Sequence, residues 1–369
     1  MSTSDIDDRV SARLADAMAK ARGGTRSPVP EPEPAIPVPP RKVFKDAMKG
    51  KPFSKVFGVK PPEGYPDLKA AVYKLADWSK GEQSFIPSKS KFANYVPNVA
   101  VLYQLWVSVL RNNKKALVVG PTGSGKTSLQ EYFCAHINQP MYRINGRGDM
   151  ESDTILGRPW VEGGDMRFEK GELVKAAEKG WWILIDEPWK LPAPIQMALQ
   201  RFYEKDGQFQ LDDMPGEIED KIITPKPSCR LVLCDNVVGT GDNVDQYAAT
   251  MIQDGSTLNR LDVVFYQGYM SKAAEVDMLR KSVPENSILE KDLSRMVDFF
   301  RLCRTSYEQR ALSAALSPRN LLTWAELTVQ LESVTMAANW TLLHRFAEDE
   351  EKSLVNEHYR AVFDRNLAE

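Results

Sequence analysis

Cysteine and histidine are scarce in this chain, with four of the first and three of the second in 369 residues. Cys134, Cys229, Cys234 and Cys303 form no CxxC pair, which argues against a zinc module or a disulfide framework and for a reducing compartment. No uninterrupted apolar run approaches the ~18 residues that a membrane-spanning helix requires. The N-terminal MSTSDIDDRV lacks the basic-then-apolar layout of a secretory signal, so a cytoplasmic protein with no membrane partner is expected. Excess charge of one sign is missing too: the formal net charge is -2, and no global basic field points to nucleic acid. The remaining composition, 43% hydrophobic and 27% charged, is that of a soluble globular protein. Its length suffices for one large domain or two ordinary ones.

Ile6, Val10, Leu14 and Met18 recur at i, i+4 spacing within residues 4–20, which predicts a short amphipathic helix with Ser4 as candidate cap. The run SPVPEPEPAIPVPP, residues 27–40, follows. Alternating proline can neither continue a helix nor pair inside a sheet, so this reads as a semi-rigid polyproline linker. The tethered helix is either a solubilising tail or a docking peptide. From about residue 95, short apolar strands alternate with helical segments: ALVVG (116–120), WWILID (181–186) and RLVLCDN (230–236). Leu129, Phe133 and Ile137 line one face of a helix after the first of these. Such alternation predicts an α/β fold with a parallel sheet covered by helices on both faces. After about residue 272 strand signals vanish. Leu289, Leu293, Met296, Val297 and Phe300 then mark one helix and LLTWAELTVQLESV another.

WWILIDEP, residues 181–188, poses a question: an apolar strand runs straight into Asp186 and Glu187. Burying two ionised groups without partners is expensive, so they meet water or hold something charged. Upstream lies GPTGSGKT, made of Gly120, Pro121, Thr122, Gly123, Ser124, Gly125, Lys126 and Thr127, between a strand and a helix. This is the complete P-loop pattern in the context that gives it meaning. Its glycines let the backbone wrap a phosphate, and its N–H groups point inward at a helix N-terminus. Lys126 then reaches the β- and γ-phosphates of ATP, and the Thr127 hydroxyl ligates Mg²⁺. In that setting Asp186 holds the magnesium shell and Glu187 polarises the attacking water.

Asn236 ends the third strand, where an amide can bond a γ-phosphate or lytic water, although Asn is equally a turn former. Arg260 stands in STLNRLD just before a VVF run, and Arg319 in LSPRNLL at the start of a helix. In this order the motifs resemble those of AAA+ ATPases, within them the MoxR group, and most of all the CobS-like ATPase subunits of aerobic cobaltochelatases. The likeness runs from NYVPN (94–98) through YRINGRGDMESDTILG (142–157) and FEKGELVKAAEKGWWILIDE to LNRLD, and extends over roughly residues 90–330. It implies sensor 1 at Asn236, an arginine finger donated to the neighbouring subunit at Arg260 and sensor 2 at Arg319. A self-assembled ring follows from the same resemblance, usually a hexamer. Read along the chain, the expected domain order is residues 1–45 as N-terminal helix and proline-rich linker, 46–271 as AAA+ nucleotide-binding domain and 272–369 as helical lid.

Two candidate hairpins bear on what such a ring acts on. WVEGGDMRF (160–168) alternates apolar residues around a Gly-Gly turn. QFQLDDMPGEIEDKIIT (208–224) carries Asp212, Asp213, Glu217, Glu219 and Asp220, which would repel a phosphate backbone. Three readings stay open: an ATPase remodelling or activating a protein partner, the same machine feeding a metal-inserting complex, and a nucleic-acid motor or phage-encoded replication or assembly ATPase. The acidity favours a protein client. A partner bearing a metal-ion-dependent adhesion-site domain fits the first two.

Overall fold

A computed structural model describes residues 49–204, 207–238 and 255–367. The expected N-terminal helix and the proline run lie outside the described residues. The described residues all belong to one compact unit.

At its centre is a five-stranded sheet. Its strands are β1 (Ala116–Val119), β2 (Met141–Asn145), β3 (Trp182–Asp186), β4 (Arg230–Asp235) and β5 (Val263–Tyr266), in the spatial order β5-β1-β4-β3-β2. Every pairing is parallel. Alternate residues serve opposite faces, as the pleat demands. Leu117, Val119, Ile183, Ile185, Leu231 and Leu233 enter one apolar cluster, and Ala116, Val118, Trp182, Leu184, Val232 and Cys234 enter the other. That double burial is why the three inner strands read as continuous apolar runs rather than alternating ones. Helix Lys126–Ile137 covers one face with Leu129, Phe133 and Ile137, all fully buried. Helices Glu172–Lys179 and Ala193–Tyr203 cover the other. The α/β sheet with helices on both faces is therefore as expected. Edge strand β2, with only Ile144 buried, has too weak a pattern to read from sequence.

Both hairpins form. Gly157–Glu162 pairs antiparallel with Asp165–Lys170 around Gly163 and Gly164, leaving Trp160, Val161 and Met166 exposed. Phe209–Gln210 pairs with Ile222–Ile223 at the base of the acidic loop. Beyond residue 271 only helices occur among the described residues, from Lys272–Ser282 to Asp349–Phe363, around a third apolar cluster centred on Phe299, Phe300, Trp324 and Tyr359. One detail differs from expectation. Leu289 is extended and exposed, and the helix starts at Glu290, so the buried seam begins at Leu293. No helix among the described residues is long and apolar enough to cross a membrane.

Candidate functional site

Parallel register brings the loops after β1, β3 and β4 to one edge of the sheet. Val119 lies opposite Asp235, and Cys234 opposite Asp186. Ligands of open α/β sheets bind at that carboxyl edge.

The P-loop leads from β1 into the helix that begins at Lys126. Lys126 is buried, and its ammonium donates to Gly120 O at 2.8 Å, Pro121 O at 3.1 Å and Asn236 Oδ1 at 2.9 Å. All three acceptors are neutral. Burial lowers the Lys126 pKa, with Cys234, Asp186, Asp235 and Glu187 opposing that shift. A buried cation whose acceptors among the described residues are all neutral is matched to an anion. Ser124 Oγ, also buried, makes no hydrogen bond among the described residues. Gly123 adopts φ +76°, and a Cβ there would come within 2.4 Å of Ser317 Cβ, so glycine is required on both counts. These features fit a phosphate chain.

Thr127 Oγ1 donates to Asp186 Oδ2 at 2.7 Å, and Arg143 on β2 donates to the same oxygen at 2.7 Å. Glu187 follows in the left-handed region, φ 56°, which is strained for a side chain of this type. Its N–H is tied to Cys234 O at 2.8 Å, and its carboxylate pairs with Lys190 at 2.9 Å. Gly146 makes this turn fit: a Cβ there would meet Glu187 O at 2.1 Å.

Asp235, at the end of β4, is buried. Its Oδ1 accepts from the Asn236 and Val237 N–H groups at 2.7 and 3.3 Å, while Oδ2 has no hydrogen-bond partner among the described residues. Burial pushes its carboxyl up to about 6, against the hydrogen bonds from Val237 and Asn236. Because the folded chain holds this proton more tightly than the unfolded one, stability falls as pH rises from about 4 to about 6, and the ionised group costs stability above that window. The gap between about 6 and the ordinary 3.8 corresponds to about 3 kcal/mol. Asp235→Asn, which keeps the Oδ1 acceptor, should therefore stabilise the nucleotide-free chain more at pH 8 than at pH 4. Urea unfolding at the two pH values measures this. An identical pH dependence in both proteins would mean that the carboxyl is not raised.

Arg319 is exposed as the second residue of helix Pro318–Leu331, and Ser317 just before it caps the helix and abuts Gly123. A cation at a helix N-terminus opposes the helix dipole, and a nearby anion would offset that. Arg260 stands elsewhere. It precedes β5, whose Val263 pairs with Ala116, so it lies beyond the other end of the sheet and contacts Glu204 at 3.4 Å. The four residues of β1, at about 3.3 Å each, separate that end from the P-loop. The fold thus gathers the P-loop, Asp186, Glu187, Asn236 and the Arg319 helix, and leaves Arg260 out. Arg143, Lys190 and Asp235 escape sequence reading. Arg143 lies within YRIN, but nothing local says that β2 runs beside β3.

A nucleotide loop at the carboxyl edge of a 5-1-4-3-2 parallel sheet, with helices behind it, defines a P-loop ATPase of the AAA type. Residues 115–251 match the AAA domain of the dynein-related subfamily, and this segment is an AAA ATPase domain. The chain is similar to the aerobic cobaltochelatase subunit CobS of Sinorhizobium sp., 27% identical over 297 residues, which span 77% of this chain and 88% of that protein. It is 24% identical to Midasin of Dictyostelium discoideum over 65% of its own length but only 4% of Midasin's. An uncharacterized protein of Staphylococcus saprophyticus is 24% identical, with 71% and 95% covered. Among solved structures, the Thermotoga maritima RuvB Holliday junction branch migration motor aligns with a TM-score of 0.41 at 14% identity, covering 73% of this chain and 75% of that one.

Proposed function

We propose that this chain is a subunit of a ring-forming, MoxR/CobS-like AAA+ ATPase, in which ATP binding and hydrolysis to ADP and phosphate remodel or activate a protein partner. The observation that carries the ring is the place of Arg260. An arginine at the far end of the sheet from its own P-loop is of use to a neighbour's γ-phosphate rather than to its own.

Within one subunit, the backbone of residues 120–125 and the Lys126 ammonium bind the phosphates. Thr127 and Asp186 are the residues that would hold Mg²⁺, which when bound neutralises charge on the phosphate oxygens. Arg143 shares the Asp186 oxygen with Thr127 and keeps that carboxylate oriented. Glu187, held at its strained turn, accepts the proton of the attacking water. Asn236, which already bonds Lys126, orients that water and the terminal phosphate. Arg319 closes on the phosphates from the helical segment, residues 272–369, which acts as the lid to a nucleotide-binding domain of residues 46–271. The four free, buried cysteines accord with a cytoplasmic site of action.

The partner reading rests on the hairpins. Exposed Trp160, Val161 and Met166 on one are suited to a protein surface. The acidic loop on the other is unsuited to nucleic acid, which weighs against a nucleic-acid motor. Similarity to CobS favours, as a special case, an ATPase subunit of a cobaltochelatase-type metal-insertion complex whose partner carries a metal-ion-dependent adhesion-site domain. A Glu187→Gln chain, loaded with ATP and used as bait, should retain such a protein partner, and wild type with ADP should not. Stimulation of ATP turnover by DNA with no captured protein would overturn the protein-client reading.

A further inference from the structure

The segment leading into the C-terminal helices grips the P-loop from outside. Gln267 donates its backbone N–H to Val119 O at 2.7 Å and its side-chain amide to Ser124 O at 3.1 Å. The Tyr269 hydroxyl donates to Thr122 O at 2.9 Å. A trans peptide unit is planar, so its C=O and N–H point opposite ways, and no cis bond occurs among the described residues. Holding Thr122 O and Ser124 O toward the linker therefore turns the N–H groups of Gly123 and Gly125 away from it. That is the orientation a nest of amides needs to receive an anion.

The linker is in turn tied to the helices through Arg304. Its guanidinium lies 4.0 Å over the Tyr269 ring, donates to Leu316 O at 2.9 Å and pairs with Glu275 at 2.6 Å. Both side chains of that pair are buried, 5% and 0% exposed, so its geometry is costly to disturb. Leu316 immediately precedes Ser317, the residue that abuts Gly123. Arg304 thus touches both the tyrosine that holds Thr122 O and the start of the helix that carries Arg319.

We propose that Gln267, Tyr269 and Arg304 form a clasp that orients the P-loop amides and transmits their engagement with phosphate to the start of helix Pro318–Leu331. All three are positioning residues. The inference rests on the reading of the P-loop as the phosphate site. Engagement that shifts Thr122 moves the Tyr269 hydroxyl, and the ring carries Arg304 and Leu316 with it.

Two conservative variants test the clasp. Tyr269→Phe removes one hydroxyl and keeps the ring beneath Arg304. Arg304→Lys keeps a charge for Glu275 but loses the planar fork that reaches Leu316. Hydrogen exchange of the peptide spanning 315–321 is followed with ADP as probe, beside ADP affinity. In wild type, ADP should slow exchange there. In either variant the slowing should fall by at least half, and in Tyr269→Phe ADP should bind about five- to tenfold more weakly, as expected for one lost orienting hydrogen bond. Unchanged protection and affinity in both variants, or no ADP effect in wild type, would overturn the clasp. A wild-type chain that binds no ADP would sink the P-loop reading itself.

Discussion

Glu187→Gln is expected to bind ATP as the wild type does and to hydrolyse it at least about 100-fold more slowly, the range for losing a positioned general base. The amide keeps the size of the carboxylate but cannot take the water's proton, and it loses the ion pair with Lys190 at 2.9 Å. The left-handed turn is set by the backbone, with Glu187 N–H on Cys234 O, so its geometry should survive the change. Lys126→Ala is the control of opposite character. It removes the buried Lys126 ammonium at the loop and should abolish nucleotide binding. Affinity and turnover measured on both variants separate the two steps. Normal hydrolysis by Glu187→Gln would remove that residue from the chemistry.

Arg260→Ala should likewise bind ATP nearly normally and hydrolyse it poorly, because fingers supplied in trans contribute roughly 10³ to 10⁵ in rate in related phosphoryl-transfer systems. The distinguishing result comes from mixing. Combined with Glu187→Gln, the Arg260→Ala chain should regain activity, since some interfaces then pair an intact Glu187 with an intact Arg260. If Arg260 merely anchors Glu204 within its own subunit, two inactive variants remain inactive together. Activity per subunit should also rise with concentration as rings assemble. A flat profile down to dilutions where sedimentation finds only monomer would remove the shared site and the ring with it.

What could be read from the chain alone was whatever is encoded locally. The P-loop was legible because its glycines, lysine and threonine act within eight consecutive residues. Strands β1, β3 and β4 were legible because burial on both faces leaves continuous apolar runs, and the helix after the P-loop because its core stripe recurs at helical spacing. The carboxylates of Asp186 and Glu187 announced themselves by standing at the end of such a run. By contrast, β2 has one buried residue in five and left almost no pattern.

Tertiary structure decided everything that depends on which strands are neighbours. Arg143 reaches Asp186 only because β2 pairs with β3, 43 residues apart in the chain. Lys126 meets Asn236 across 110 residues because β4 lies beside β1. The separation of Arg260 from the P-loop follows from the parallel pairing of β5 with β1, which sends the segment before β5 to the opposite end of the sheet. The grip of Gln267 and Tyr269 on the loop is longer-range still, spanning 143 and 147 residues. Periodicity and motif spacing report how a residue faces its immediate neighbours along the chain. They carry no information on strand order, and in a parallel sheet it is strand order that brings the side chains of the site together.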